Sequence, residues 1–164
     1  MKRFLLATVL LACAPWLVAQ EEKVTGEFST PATPSADGAT VSIVLPHDGD
    51  VVPPTFLVKF MVSGMGLAPA GSKIDNTGHH HLLIDIEDLP PMDKPLPATD
   101  QLLHFGGGQT QTELTLKPGK HSLQLVLGDY AHQPHDPPVI SKKIYIEVAE
   151  GAVQQVDDPE VDLP

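Results

Sequence analysis

The feature that most constrains the fold is a series of short runs in which apolar and polar residues alternate. Each run is bounded by a turn that contains Pro or Gly. Period-two alternation is typical of β-strands with one buried face and one wet face. The runs cover residues 41–45, 56–62, 82–86, 112–116, 123–127 and 144–148, and we expect a seventh strand near His104. The pattern predicts an all-β fold, an immunoglobulin-like antiparallel β-sandwich of six to seven strands.

The first 19 residues have the composition of an export signal. Basic Lys2 and Arg3 precede an apolar stretch, and small Ala19 precedes a charged segment. This is the order found in cleavable secretory signals, so we predict a signal peptide over residues 1–19. The mature protein is then periplasmic or secreted, without a transmembrane segment. Alternatively, the residues before Cys13 resemble a lipobox, and a lipid on Cys13 anchors the protein.

Composition also divides the rest of the chain. Residues 20–38 are rich in Pro, Ser, Thr, Ala and Gly, which predicts a flexible linker. Residues 150–164 are acidic and contain no Lys or Arg, which predicts a disordered tail. The sandwich domain is therefore expected over residues 39–149. A formal net charge of −11 repels phosphate backbones, so we exclude nucleic acid as a partner and favour cations.

Histidine is the residue type that points to chemistry. All eight histidines lie between positions 47 and 135, inside the predicted domain. The neutral imidazole of histidine is the commonest metal ligand among protein side chains. Cys13 is the only cysteine, so a mature domain that has lost its signal can offer no thiolate. All-imidazole sites suit Zn²⁺ and Cu²⁺, which are the cofactors we predict.

Spacing selects the candidate ligands. Period two places His79 and His81 on one face of their strand and His80 on the other face, with the core leucines. The remaining candidates lie in a Gly-rich segment and in a Pro-rich loop. The predicted metal ligands are His79, His81, His104, His132 and His135. The predicted supporting residues are His80, Gln109, Asp129 and Asp136. Alternatively, each imidazole has a structural role and is hydrogen-bonded to a backbone group. The sequence leaves both the metal-ligand and the structural interpretation open.

Two other histidines fit structural roles better. His121 is in phase with Leu123, Leu125 and Leu127, so we expect a buried ring bonded to a backbone carbonyl. His47 lies in a Pro-His-Asp-Gly turn, where an exposed side chain is expected.

Three runs of sequence resemble one known family. They are NTGHHHLLID (76–85), HFGGGQTQTEL (104–114) and LGDYAHQPHDPPVIS (127–141). In this order they resemble the bacterial family of exported proteins catalogued as domain of unknown function 4399 (DUF4399). The resemblance covers roughly Val41 to Val148 and implies a compact β-sandwich in the cell envelope. It implies no activity, but it directs attention to the same histidines and to Gln109 and Asp136.

Three classes of function are open at this point. The first is binding of a divalent transition metal, Zn or Cu, in the cell envelope. The second is a non-catalytic module that binds a protein or glycan of the periplasm, with structural histidines and a recognition loop over Glu87–Leu103. The third, which we favour least, is an enzyme with a metal-activated water. We therefore expect a metal ion or an envelope protein as the partner.

Overall fold

The computed structural model describes residues 31–155. The predicted signal peptide, the first part of the linker and the end of the acidic tail lie outside these residues. Within this range the chain forms strands and turns and no helix. The strands are β1 (Thr40–Leu45), β2 (Val51–Val52), β3 (Thr55–Ser63), β4 (Gly66–Leu67), β5 (Thr77–Ile84), β6 (Leu102–Phe105), β7 (Gln111–Thr115), β8 (Gly119–Gly128) and β9 (Ile144–Val148). A search of the described part of the chain for a helix suited to crossing a membrane found none.

The strands form two sheets, which confirms the predicted sandwich. The smaller sheet has the antiparallel order β1-β3-β7. The larger sheet has the order β2-β9-β8-β5-β4, and β6 also pairs with β5. All six predicted strands and the seventh near His104 are present. The alternation did not predict β2 and β4, which are two-residue strands that pair in parallel with β9 and β5.

The main core lies between the sheets and follows the predicted alternation. The smaller sheet contributes residues of β1, β3 and β7, and the larger sheet contributes residues of β5, β8 and β9. The central members are Phe56, Val58, Phe60, Leu82, Ile84, Leu123, Leu125, Leu127, Ile146 and Val148. Full burial of one such apolar side chain stabilises the fold by about 1.5–3 kcal/mol. These apolar side chains form one continuous cluster.

The outer face of the larger sheet is also covered, which the alternation did not predict. Leu83 of β5 and Val126 of β8 pack there against Leu96 of the connection that follows β5 and against Leu102 of β6. Strand β5 is consequently buried on both faces from Gly78 to Ile84. In the connection that we interpreted as a recognition loop, Leu96 is buried against the sheet, and most of the other residues are exposed.

The end of β5 differs from the prediction as well. We expected Ile86 to continue the core-facing series of Leu82 and Ile84, but Ile86 packs with Leu83 on the outer face. Asp85 has a φ of 55°, in the left-handed region that non-glycine residues seldom adopt. This residue ends the strand, so the two-residue period stops at Ile84.

Residues on both sides of the predicted domain contact it. The carbonyl of Thr33 accepts a hydrogen bond from the backbone N–H of Asp136 at 3.0 Å. The side-chain amide of Gln154 bonds both the N–H and the carbonyl of Leu57, at 2.8 and 2.7 Å. Parts of the predicted linker and tail thus pack against the sandwich.

Leu125→Ala tests the inner core. Leu125 is 0% exposed, so its truncation should lower the free energy of unfolding by about 2–5 kcal/mol through lost burial and a residual cavity. Met61→Ala is the matched control, because Met61 lies in β3 but is 54% exposed. We expect the control to change stability by under about 0.5 kcal/mol. Urea denaturation measures both, and equal losses would contradict this placement of the core.

Candidate metal centre

Four histidines from three separate parts of the chain meet on the outer face of the larger sheet. They are His79 and His81 of β5, His104 of β6 and His132 of the loop after β8. One ring nitrogen from each lies within 4.8 Å of the corresponding atoms of the other three. We call these four residues the histidine cluster. The arrangement could hold a metal ion.

The sheet itself positions three of the four rings. His79 and His81 are two residues apart on β5, so they share a face, and their ring centroids are 4.7 Å apart. His104 of β6 is the direct antiparallel partner of His81. Cross-strand partners project to the same side of a sheet, and the His104 ring lies 4.9 Å from that of His79. Strand pairing therefore fixes a triangle of imidazoles.

The fourth ring comes from a loop with a special backbone. His132 has a φ of 66°. Its N–H donates to the carbonyl of Asp129, and its own carbonyl accepts from the N–H of Leu96, both at 2.9 Å. These bonds direct the side chain over the triangle, where His132 Nδ1 lies 3.2 Å from His79 Nε2.

Two glycines make room for the rings. A Cβ on Gly128, the β8 partner of His79, would lie 2.5 Å from Cε1 of His81. A Cβ on Gly106 would overlap the His104 ring. A side chain at either position would therefore displace the ring of a cluster histidine, and neither glycine has a positive φ. Gly106 was not among the residues that we predicted to support the site.

Burial keeps the two deepest rings uncharged. His79 and His81 are 0% and 1% exposed. Burial, followed by repulsion from the neighbouring imidazoles, lowers the pKa of His79 to about 4 and that of His81 to about 3. Burial and nearby His132 also lower the pKa of His104. At neutral pH the cluster therefore presents uncharged imidazoles with free lone pairs, the form that binds metal.

Several of these nitrogens have no partner within the described residues. Nδ1 of His79 and both ring nitrogens of His81 are buried and make no hydrogen bond there. A buried polar group left unsatisfied costs about 1–3 kcal/mol. A cation at the centre of the cluster would give these nitrogens a partner, so the residues present fit a metal ion.

His135, the fifth predicted ligand, does not join the cluster. Its Nδ1 donates to the carbonyl of Thr33 at 3.2 Å. A Cβ on Gly78 would lie 2.9 Å from Nε2 of His135, and Gly78 shares the core-facing side of β5 with His80. His135 is therefore on the other face of the strand. Its position in an irregular loop, three residues after His132, gave no periodicity from which to predict its side.

The supporting residues hold the backbone rather than the ligand rings. His80 faces the core against Phe60, as predicted, and its Nδ1 bonds the carbonyl of Gln109 at 3.1 Å. The Gln109 side chain accepts from the N–H of Gly107 at 2.9 Å. Together these bonds fix the Gly-rich turn that follows His104.

The two predicted aspartates differ from each other. Asp129 is buried, and its carboxylate accepts from the N–H groups of Ala131 and Gln133 at 2.8 and 3.0 Å. Its hydrogen bonds thus organise the His132 loop, not an imidazole. Asp136 is exposed and contacts the N-terminal residues through its backbone.

Of the two histidines assigned structural roles, His121 bonds a backbone carbonyl as expected but is half-buried rather than buried. His121 Nε2 bonds the carbonyl of Lys117 at 2.8 Å, and its Nδ1 bonds Asp85 at 2.7 Å. Burial alone would lower its pKa, but the hydrogen bonds to Asp85 and Lys117 outweigh burial and raise the pKa. His47 is exposed. Both lie outside the cluster.

Comparison with known proteins identifies the family but no activity. The model of the family described as "Domain of unknown function (DUF4399)" matches residues 58–149. The match covers more than half of the chain, so the chain belongs to this family. The search of curated proteins and the search of solved structures gave no match.

The metal-free protein should lose stability as the pH falls below 6.5. The folded-state pKa values of His79 and His81 lie near 4 and 3, below the ordinary 6.5, so the unfolded chain takes up these protons first. Stability is fully present above pH 6.5 and falls towards pH 4. Each of the two rings changes the free energy of unfolding by up to about 1.4 kcal/mol per pH unit in this range. Urea denaturation in chelator at several pH values measures the slope.

Two variants isolate the contribution of the cluster to this slope. His81→Phe keeps a ring of similar shape but cannot take up a proton, so stability should depend less steeply on pH. His47→Phe alters an exposed histidine outside the cluster and should leave the slope unchanged. An unaltered slope in His81→Phe would contradict the assignment of the acid sensitivity to the buried rings.

Proposed function

We propose that this protein binds a divalent transition metal, Zn²⁺ or Cu²⁺, through His79, His81, His104 and His132. The observation that carries the proposal is the convergence of four ring nitrogens within 4.8 Å of one another. These rings come from distant parts of the chain, and two of them are buried without hydrogen-bond partners for some of their nitrogens. Ordinary packing gives no reason to gather four imidazoles at one place.

The donor set supports binding in preference to catalysis. Zinc sites that serve structure have four protein ligands, whereas catalytic sites keep one position open for water. Four imidazoles can fill a tetrahedral shell. Each Zn–N bond is about 2.0–2.1 Å long, so two ligand nitrogens of a tetrahedral site lie about 3.3–3.4 Å apart. Small side-chain rotations are enough to close the cluster around one ion.

The charge of the protein supports the same conclusion. Four neutral ligands leave the full charge of the cation uncompensated in a buried place. Burial lowers the pKa of His79, whereas the negative charge of the Asp129 carboxylate raises it. It would favour a bound cation in the same way. The net charge of −11 raises the local concentration of cations around the whole molecule.

Exposure indicates how the ion would enter. His79 and His81 form the buried floor of the cluster, His104 is exposed and His132 is half-buried. An ion arriving from solvent would therefore meet His104 and His132 first. We place this binding in the cell envelope on the composition of residues 1–19, which lie outside the described residues. The partner is then a metal ion, or an envelope protein that exchanges one with it.

Metal titration of the purified protein tests the proposal. After chelator treatment, we expect Zn²⁺ or Cu²⁺ to bind at one equivalent by calorimetry. The double variant His79→Ala/His81→Ala should bind at least about 100-fold more weakly, because it removes the two ligands of the cluster floor. His47→Ala is the matched control, and its affinity should equal that of the unmodified protein.

The outcomes separate metal binding from the alternative of a metal-independent interaction module. Stoichiometric binding that is lost in the double variant and kept in the control supports the proposal. No binding by the unmodified protein, or equal binding by the double variant, overturns it. Circular dichroism of each variant checks that the sandwich persists, so that loss of binding is not loss of the fold.

A further inference from the structure

Residues 33–36, which precede β1 and fall within the predicted linker, lie against the loop that carries His132. We call these residues the strap. Thr33 accepts hydrogen bonds at its carbonyl from the N–H of Asp136 and from Nδ1 of His135, at 3.0 and 3.2 Å. The N–H of Ser35 donates to the carbonyl of Asp136 at 3.3 Å. The strap thus follows the second half of the loop like a short added strand.

The side chain of Thr33 reaches the buried centre of the loop. Its hydroxyl donates a hydrogen bond to Oδ2 of Asp129. The other oxygen of Asp129 accepts from Ala131 and Gln133, the two residues on either side of His132. The backbone carbonyl of Asp129 accepts from the N–H of His132 itself. Asp129 therefore connects the strap to the backbone of the fourth ring.

This connection matters because His132 is the one member of the cluster that no strand holds. His81 and His104 are fixed by the pairing of β5 with β6, and His79 is fixed by the pairing of β5 with β8. His132 keeps a φ of 66°, and a non-glycine residue holds a conformation of this kind only when its surroundings impose it. The surroundings are the bonds to Asp129 and, at the carbonyl of His132, to Leu96.

We propose that Thr33 and Asp129 are positioning residues that hold His132 over the other three histidines, so that all four ligands of the site come from the protein. The inference rests on the proposed metal binding. With the strap bond in place, the protein supplies all four ligands. Without it, His132 moves away, and water takes the fourth position on a metal held by three strand histidines. Residues that orient a ligand typically contribute about 10- to 100-fold in metal affinity.

Thr33→Val is the central variant. It removes the hydroxyl, keeps the shape of the side chain and leaves the carbonyl of residue 33 free to accept its two hydrogen bonds. Zn²⁺ affinity should fall by about 10-fold or more. The visible absorption spectrum of the Co²⁺-loaded protein should change, because water replaces an imidazole as the fourth ligand. Asp129→Asn should act in the same direction.

Thr55→Val is the matched control. The hydroxyl of Thr55 bonds that of Thr115 at 2.9 Å in the smaller sheet, away from the cluster. Its metal affinity and Co²⁺ spectrum should equal those of the unmodified protein. Melting temperatures of the metal-free variants give a separate measure of stability, and a purely structural role for Thr33 would change that temperature without changing the Co²⁺ spectrum.

A double-mutant cycle shows whether the strap acts through His132. If it does, Thr33→Val adds little to the loss of affinity already caused by His132→Ala. Full additivity would overturn the inference, as would an unchanged affinity and spectrum in Thr33→Val. Absence of metal binding by the unmodified protein would instead refute the proposed function, so the two failures are distinguishable. If Asp129→Asn unfolds the protein, Thr33→Val alone decides.

Discussion

The pairing of β5 with β6 and β8 is the interaction on which the rest of the structure depends. Both faces of β5 are buried from Gly78 to Ile84. Its inner face completes the core between the sheets, and its outer face carries the paired rings of the cluster floor. Antiparallel pairing also brings His104 opposite His81 and Gly128 opposite His79. One ladder of backbone hydrogen bonds therefore sets both the packing of the domain and the spacing of the imidazoles.

Burial divides the outer face into two regions of different chemistry. Beyond the histidines, Leu83 and Val126 pack with the connection after β5, which makes a second apolar cluster. At the other end of β5, four imidazoles occupy a place where hydrocarbon would pack without leaving a polar atom unsatisfied. Buried polar groups are normally hydrogen-bonded. Three of the buried side-chain nitrogens without a partner belong to the cluster, and the other such atoms within the described residues lie on His80, Gln124 and His135. The unsatisfied nitrogens destabilise the fold at this place, and the apolar core between the sheets supplies the stability of the domain.

Much of the fold could be predicted because alternation along a strand is a local property. The six predicted strands and the seventh near His104 follow from period two, as does the inward position of His80. The parallel pairs made by β2 and β4 could not be predicted, because two residues contain no period. The position of Ile86 was missed because the left-handed backbone of Asp85 interrupts the alternation. The cover on the outer face was missed because an irregular connection supplies it.

The sequence by itself determined the strands, the shared face of His79 and His81, and the lack of cysteine in the predicted domain. These follow from composition and from the geometry of a single extended chain. Only the tertiary structure decided which distant histidines meet. It grouped His132 with the strand histidines, separated His135 onto the other face of β5 and brought Thr33 to Asp129. Loops have no fixed period, so the direction of their side chains depends on hydrogen bonds to residues far away in the sequence.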